Sequence, residues 1–323
     1  KKTIDDTKAE YSNILDKRQL WDYCKYRIKE ESIFWGSQNK KKQKYLINLI
    51  ERDISNINTE IDSTCDNDVL HNLIEQRKEL IIKQEEHYKN EANAAQIRSR
   101  AKWVEYGEKS NKYFLNLEKK RQTNNRISSI KTSTGKHVHR TEDILKESVD
   151  FYGKLYKKRD IKQYDVDQFL NGITTNEILT EVEAMICEGE ILETECKSAL
   201  DKMAKNKSPG FDGLPTEFYL HFWENIKTLV TDSFNEAFNT GQLSETQKQI
   251  IMSLIFKKEN RTLFKNYRPI SLSNVDYKIL AFVLANRLQK VIHKLISPEQ
   301  AAYINERYIG QNIQLLLDVM EYS

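Results

Sequence analysis

Residues 206–219 read NKSPGFDGLPTEFY, and this stretch decides how the rest of the sequence is interpreted. Pro209-Gly210 and Asp212-Gly213 are both turn-forming pairs, so the backbone is predicted to bend twice within five residues. Pro215 is suited to the first turn of a helix, and aromatic residues follow it. The stretch therefore predicts a compact loop that leads into an aromatic-rich helix.

The loop also has features that suit an anion. Its exposed backbone N–H groups and the preceding Lys207 could approach a phosphate backbone closely. An ordinary connector between two helices would use the same turn residues, so this stretch alone leaves both interpretations open.

Upstream of the loop, the first 208 positions contain no proline, which favours long helices. Apolar residues recur every three or four positions between 46 and 61, and again from 69 to 81, with turn and cap residues between them. The pattern predicts an antiparallel helical hairpin. An amphipathic pair packed flat on a globular body explains it equally well.

Other stretches favour β-strands. Residues 126–139 alternate apolar and polar side chains around Gly135, which predicts a short β-hairpin. Residues 250–256 form a run that is apolar except for Ser253 and is suited to a buried strand, and Ile270–Leu272 suit a second one. The expected fold class is α+β and predominantly α-helical, with a small β-hairpin.

The composition excludes several classes of protein. No run approaches about 18 uncharged apolar residues, so a transmembrane helix is excluded. The four cysteines form no CxxC pair and no Cys/His cluster, so neither a disulfide scaffold nor a zinc site is expected. Free thiols indicate a reducing compartment, the nucleus or the cytoplasm. Without an initiator Met or a signal-peptide pattern, the chain is expected to be a piece of a longer protein.

Positive charge is concentrated locally, although the net charge is only +3. Residues 98–131 hold ten Lys/Arg and three acids, with Trp103 and Phe114 among them, and residues 248–294 hold ten Lys/Arg and two acids. Such stretches can neutralise phosphates and stack on bases, or they can be solvated helix faces. Two such basic stretches in one chain favour a protein that binds nucleic acid. The candidate phosphate-binding residues of the first stretch are Arg98, Arg100, Lys102, Lys109 and Lys112.

The second basic stretch contains SLIFKKEN (253–260) and NYRPISL (266–272). A strand that ends in two lysines, followed by a second strand, predicts a hairpin with Lys257 near Arg268. Lys258 could replace Lys257, because strand register decides which lysine faces inward. Both side chains would meet an anion, whereas the alternative is that Arg268 pairs with a carboxylate inside the fold.

Together these segments resemble the reverse transcriptases of non-LTR (LINE-type) retrotransposons. Four segments occur in the order and spacing of that family's first polymerase blocks. They are NKSPGFDGLPTEFY (206–219), SLIFKKEN (253–260), NYRPISL (266–272) and LISPEQAAYINERYIGQNIQLLLDV (295–319). IRSRAKWVEYGEKSNKYFLNLEKKR (97–121) resembles the block that precedes them. Reverse transcriptases of the group II intron type are the nearest competing resemblance.

The resemblance implies three consecutive parts: a helical linker with a hairpin (1–96), a basic block before the fingers (97–172), and the fingers with the start of the palm (173–323). It implies binding of template RNA, a DNA primer or target, and a dNTP, with no membrane. Nucleotide contacts are expected from Lys257, Lys258 and Arg268. Nucleic-acid contacts are expected from the five residues of the first basic stretch and from Lys207, Ser208, Gly210, Asp212, Gly213, Asn266, Tyr267, Pro269 and Ile270.

The resemblance also implies two-metal chemistry, in which palm aspartates bind Mg²⁺. The blocks that carry these aspartates are expected beyond residue 323. No catalytic residue or metal ligand is therefore assigned here, Mg²⁺ is expected only for the complete polymerase, and the 323-residue chain alone is expected to be inactive. Two other classes stay open, a self-sufficient RNA-binding helical module and a structural helical-hairpin protein.

Overall fold

A computed structural model of the protein describes residues 1–99, 126–158, 160–172 and 178–322. Within these ranges helices dominate, and the strands form two small two-stranded sheets, β1–β2 and β3–β4. The predicted class, α+β and predominantly α-helical, is confirmed. The elements are α1 (Lys2–Tyr11), α2 (Lys17–Ser63), α3 (Asn67–Ser99), β1 (Ile130–Lys131), β2 (His137–Val138), α4 (Thr141–Leu155), α5 (Gln163–Asn171), α6 (Glu181–Cys187), α7 (Glu193–Asp201), α8 (Thr216–Thr240), α9 (Glu245–Lys248), β3 (Ile250–Phe256), a 3₁₀ turn (Phe264–Asn266), β4 (Tyr267–Ser273), α10 (Val275–Gln289), α11 (Ile292–Leu295) and α12 (Ile309–Tyr322).

The longest element is α2, whose 47 residues extend over about 70 Å at 1.5 Å per residue. Asp16 precedes it, and its Oδ1 accepts the backbone N–H groups of Arg18 and Gln19. Asp66 precedes α3 in the same way and accepts the N–H of Asp68 at 2.9 Å. The hydroxyl of Tyr88 in α3 donates to Oε1 of Glu51 in α2 at 2.7 Å. The two periodic segments noted in the sequence thus lie within α2 and α3.

The chain forms two compact units, and each is assembled from separate stretches of sequence. The first unit comprises residues 1–30, 154–253 and 269–323, and the second comprises 31–153 and 254–268. This division differs from the three consecutive parts expected from the sequence. The functional roles expected for those three parts stay predictions.

The core of the first unit is organised around α8. Tyr219, Trp223, Ile226, Val230 and Phe234 are all buried, and their spacing of three or four residues places them on one face of the helix. This face packs with buried residues of α1, the start of α2, α7 and α10. The helix ends at Gly241, which has a left-handed backbone and so allows the chain to turn.

The core of the second unit is smaller and mainly aromatic. Ile130 of β1 and Tyr152 of α4 are buried together with Phe264 and Tyr267 of the hairpin. Lys131 donates its backbone N–H to the carbonyl of Thr262 at 2.8 Å, which fastens β1 to the hairpin connection. The β1–β2 hairpin, with Ile130 opposite Val138, is where the sequence predicted it.

The expected burial of β3 is wrong. Ile250 and Ile255 are about half exposed, and only Leu254 and Phe256 pack against the core of the second unit. A continuous apolar run indicates an extended strand but does not reveal what covers it. Here the strand belongs to a sheet of two strands only, so much of its surface stays uncovered within the described part of the chain.

A buried group of charges lies inside the first unit. Lys25 of α2 is 2% exposed, and its Nζ donates to Oδ2 of Asp276 at 2.7 Å and lies 3.2 Å from Oδ1 of Asp22. The indole N–H of Trp21 donates to the same Asp276 oxygen at 2.9 Å. Burial by itself lowers the pKa of a lysine, but the two carboxylates outweigh it, and the pKa of Lys25 is raised. Lys25 therefore keeps its charge inside the fold.

Removing Asp276 tests the importance of this buried charge. Asp276→Ala should lower the free energy of unfolding by about 3–5 kcal/mol, because it leaves the Lys25 ammonium without its nearest counter-charge. The measurement is urea unfolding followed by circular dichroism at pH 7. Asp201→Ala, which removes one partner of the exposed Lys197–Asp201 pair, is the control and should cost no more than about 1 kcal/mol.

A second substitution separates the charge from the packing. Adding Lys25→Met to Asp276→Ala should recover part of the lost stability, because the buried ammonium is then absent and the partly exposed Asp22 carboxylate keeps its hydrogen bonds from Ser244 and Thr246. Two results would contradict the importance assigned to the buried charge. Asp276→Ala could lower the free energy of unfolding no more than the Asp201 control does, or the added Lys25→Met could lower it further instead of raising it.

Candidate nucleic-acid interface

The loop between α7 and α8 is hydrogen-bonded to Asn274, the residue that precedes α10. Asp212 donates its backbone N–H to Oδ1 of Asn274 at 3.3 Å, and its own Oδ1 accepts the N–H of Leu214 at 3.0 Å. Asn274 in turn donates its Nδ2 to the carbonyl of Thr246 at 2.7 Å. The loop is thus attached to Asn274, which is itself bonded to Thr246, and both residues lie more than 30 residues away in sequence.

Gly210 makes this close approach possible. A Cβ atom at this position would lie 2.2 Å from Oδ1 and 2.6 Å from the backbone nitrogen of Asn274. Gly213, three residues on, has φ +78°, a conformation that strains other residues. The two glycines of the sequence motif are therefore explained by packing and by the turn.

The buried charges extend to this loop through Thr246 at the start of α9. Asp22 accepts the hydroxyl of Ser244 at 2.8 Å and the backbone N–H of Thr246 at 3.1 Å. Lys25 donates to the hydroxyl of Thr246. The charged residues of α2, the start of α9, Asn274 and the 206–215 loop are thereby joined in one hydrogen-bonded network.

The loop presents few of its predicted contacts to solvent. Lys207, Ser208 and Gly213 are exposed, whereas Gly210 and Asp212 are buried. Burial raises the pKa of Asp212 to about 6, although the hydrogen bond from the Leu214 N–H lowers it. Within the described ranges, Oδ2 of Asp212 has no hydrogen-bond partner. Phosphate contact by this loop stays a prediction, and its exposed cation is Lys207.

The β3–β4 hairpin places Lys257 and Arg268 on one face. The rings of Phe256 and Tyr267 contact each other, with centroids 5.5 Å apart, on the side that joins the core of the second unit. Lys257 donates its backbone N–H to the carbonyl of Asn266 at 2.9 Å, so the pairing continues past the end of β3. Because successive side chains of a strand alternate, Lys257 and Arg268 lie on the opposite, exposed face.

The sequence leaves two alternatives open, that Lys258 replaces Lys257 and that Arg268 pairs with an internal carboxylate. Lys258 is exposed beyond the end of β3 and lies 3.9 Å from the carboxylate of Glu259, so its charge is partly offset there. Among the described residues, Arg268 has no carboxylate within ion-pair distance, which argues against an internal ion pair. Nucleotide binding by these side chains stays a prediction.

The other residues assigned to this segment differ in exposure. Asn266 and Tyr267 are buried, Pro269 is half-buried and Ile270 is exposed. Asn266 donates Nδ2 to the carbonyl of Asn260 at 3.0 Å, and the hydroxyl of Tyr267 donates to the carbonyl of Arg261 at 2.7 Å. Their visible contacts shape the hairpin connection, and their contact with a template stays a prediction.

The two predicted basic stretches are only partly described. Arg98 lies at the end of α3, whereas Arg100, Lys102, Trp103, Lys109, Lys112 and Phe114 lie outside the described residues. In the second stretch, Arg287 is buried and forms two hydrogen bonds with the Glu195 carboxylate, at 2.9 and 2.6 Å. Arg287 therefore supports the fold and does not add to a free basic surface.

Sequence reasoning missed the buried network. Its signal is present in α2, where Lys25 falls at a position that the spacing of Leu20, Trp21, Cys24 and Ile28 assigns to the core face. A charged residue at such a position requires a buried partner. Which carboxylate provides it could not be read from the sequence, because Asp276 lies 251 residues away.

The described residues do not fit a magnesium site. None of them form a group of three or more His, Cys, Asp or Glu side chains that could hold a metal ion. The buried carboxylates of Asp22 and Asp276 bind the Lys25 ammonium instead. In the same ranges, no helix is long and apolar enough to cross a membrane, and all four cysteines are free thiols.

Comparison with known proteins connects the chain with a transposon. It is 30% identical over 248 residues to the uncharacterized 149 kDa protein of transposon TX1 from Xenopus laevis. The match covers 77% of this chain but only 18% of that relative's length. No family model matches the sequence. The similarity indicates a transposon-related origin.

The raised pKa of Asp212 makes stability depend on pH. An aspartate has an unfolded-state pKa of about 3.9, so the folded protein binds an extra proton between about pH 4 and pH 6. The stability that depends on this proton is fully present below about pH 4 and is lost as the pH rises through about 6. Asp212→Asn, which keeps the acceptor for the Leu214 N–H, should remove this dependence.

The measurement is urea unfolding of both proteins at pH 4 and pH 7. Between pH 4 and pH 7, the free energy of unfolding should fall by about 1–3 kcal/mol more in the unchanged chain than in Asp212→Asn. The exposed Asp201→Asn variant is the control and should show no such gain. An equal pH response of all three proteins would contradict the burial of an ionisable Asp212.

Proposed function

We propose that this chain is part of a LINE-type reverse transcriptase and that it binds template RNA and the incoming nucleoside triphosphate. The observation that carries the proposal is the exposed face of the β3–β4 hairpin, where Lys257 and Arg268 lie on the same side without a carboxylate partner among the described residues. The sequence motifs that resemble this family supply these two residues.

The transposon similarity supports the proposal at a coarser level. The relative is encoded by a transposon, and its name assigns it no activity. Because the chain spans about a fifth of that relative's length, the activity, substrates and partners of the whole protein are all part of the proposal.

The residue types suit a triphosphate. Arginine presents a planar fork that matches two phosphate oxygens, and lysine adds a compact charge beside it. Pro269 restricts Arg268 to an extended backbone, which suits a side chain that projects from a strand. Both cations would offset the negative charge that builds up when phosphate bonds rearrange.

Template RNA would be bound by other basic residues. Lys207 and Ser208 are exposed at the 206–215 loop, and the sequence adds Arg98, Arg100, Lys102, Lys109 and Lys112. Contacts of this kind are mainly electrostatic, so they would tolerate many sequences. The metal-dependent chemistry, which needs Mg²⁺ held by aspartates, would come from other parts of the longer protein.

Kinetics of the full-length polymerase test the role of Arg268. Arg268→Ala and Arg268→Lys should both lower kcat/KM for the nucleotide by one to a few orders of magnitude, about 1.4 kcal/mol for each tenfold. Thermal unfolding should be unchanged, because the exposed side chain has no ion-pair partner among the described residues.

The matched control is Lys265→Ala, which removes an exposed cation from the 3₁₀ turn of the same hairpin connection. This variant should keep the kinetics of the unchanged enzyme. Equal kinetics for the Arg268 variants and the control would remove Arg268 from the nucleotide site, and an unfolded Arg268→Lys variant would indicate a structural role instead.

A further inference from the structure

Three large aromatic side chains are exposed on one part of α2. Phe34, Trp35 and Tyr45 have 63%, 67% and 65% of their surface open to solvent. A solvated helix face normally carries polar side chains, and clustered exposed aromatics mark binding surfaces more often than single ones do.

The same part of α2 is strongly basic. Residues 32–50 contain Lys40, Lys41, Lys42 and Lys44 and no aspartate or glutamate. All four lysines are exposed, and in the part of the chain that the structure describes none of them has a carboxylate partner. The segment therefore has four uncompensated positive charges within five residues, beside the aromatic side chains.

Helix geometry brings the two kinds of side chain together. At 3.6 residues per turn, Phe34, Trp35, Lys41, Lys42 and Tyr45 fall within a sector of about 120°, which we call the α2 stripe. The stripe extends for about 16 Å along the helix axis, at 1.5 Å per residue. Lysines 41 and 42 lie between the aromatic residues along this sector and not on an opposite face.

We propose that the α2 stripe binds single-stranded nucleic acid, with its lysines on phosphates and its aromatic rings on bases. Uncompensated positive charge fits a polyanion, and every base has a face on which an aromatic ring can stack. An anionic membrane would instead require an apolar face separated from the lysines. Binding of this kind is tolerant of sequence, because the stripe offers no fixed set of donors and acceptors for base edges.

The position of α3 agrees with this assignment. Tyr88 of α3 lies opposite Glu51 of α2, and the two helices run in opposite directions. Both helices rise 1.5 Å per residue, so the end of α3 at Arg98 is level with Lys41. The first basic stretch of the sequence therefore starts level with the lysines of the α2 stripe.

Equilibrium binding of single-stranded RNA and DNA 20-mers tests the proposal. The double variant Lys41→Ala/Lys42→Ala should bind both about tenfold more weakly at low salt. The slope of log K against log salt should become shallower by about 1.4, from two phosphate contacts of about 0.7 each. The matched control, Arg77→Ala/Lys83→Ala, removes the same charge from exposed positions of α3 near the other end of the hairpin and should bind as the unchanged chain does.

Trp35 gives a direct signal for stacking. Binding should quench the tryptophan fluorescence, and the part of the quenching that comes from Trp35 should be lost in Trp35→Phe. Affinity should stay within a few fold, because phenylalanine can still stack. The quenching should persist in Lys257→Ala/Arg268→Ala, so the α2 stripe can fail or succeed independently of the proposed nucleotide site.

Three results would overturn the proposal. Equal affinity and equal salt slopes for the two double variants would remove the lysines from the site. Unchanged Trp35 fluorescence on saturation with RNA or DNA would remove the aromatic contact. Binding of the chain to vesicles of anionic phospholipid that the 20-mers do not displace would assign the α2 stripe to a membrane surface.

Discussion

The charge of Lys25 is the constraint on which the arrangement of the first unit depends. A buried ammonium is tolerated only with counter-charges and hydrogen-bond acceptors around it, and here these come from Asp22, Asp276 and Thr246. These contacts with Lys25 hold the start of α2 against α9 and α10. They also set the positions of Asn274 and the 206–215 loop, because Asn274 is bonded to both Thr246 and Asp212. One buried cation thus determines where a surface loop lies.

This constraint explains which of the predicted contact residues are exposed. The loop uses Gly210 and Asp212 to attach itself, and Lys207, Ser208 and Gly213 remain exposed. In the second unit the aromatic pair Phe256 and Tyr267 has a similar effect, since its burial turns Lys257 and Arg268 outward. In both units the motif residues divide into those that build the framework and those that remain exposed.

Much of this could be predicted from the sequence, because it depends on local chemistry. Turn pairs, proline positions and periodicity are properties of neighbouring residues, and they located the 206–215 loop, both β-hairpins and the segments within α2 and α3. The rest depends on contacts between distant residues. The exposure of β3, the burial of Asp212 and the partners of Lys25 are set by segments up to about 250 residues away, and no local pattern records them. The discontinuous units have the same origin, since each one closes through contacts between separate stretches.

Native-state hydrogen exchange tests most directly whether the Lys25 network joins these segments into one cooperative unit. The amides of residues 21–28 in α2 should open together with those of 226–234 in α8 and 279–283 in α10. All three sets should have the same free energy of opening and the same dependence on urea. Contradiction would come from residues 21–28 opening at lower free energy while α8 and α10 stay protected, because the start of α2 would then be an independent attachment and not part of the framework.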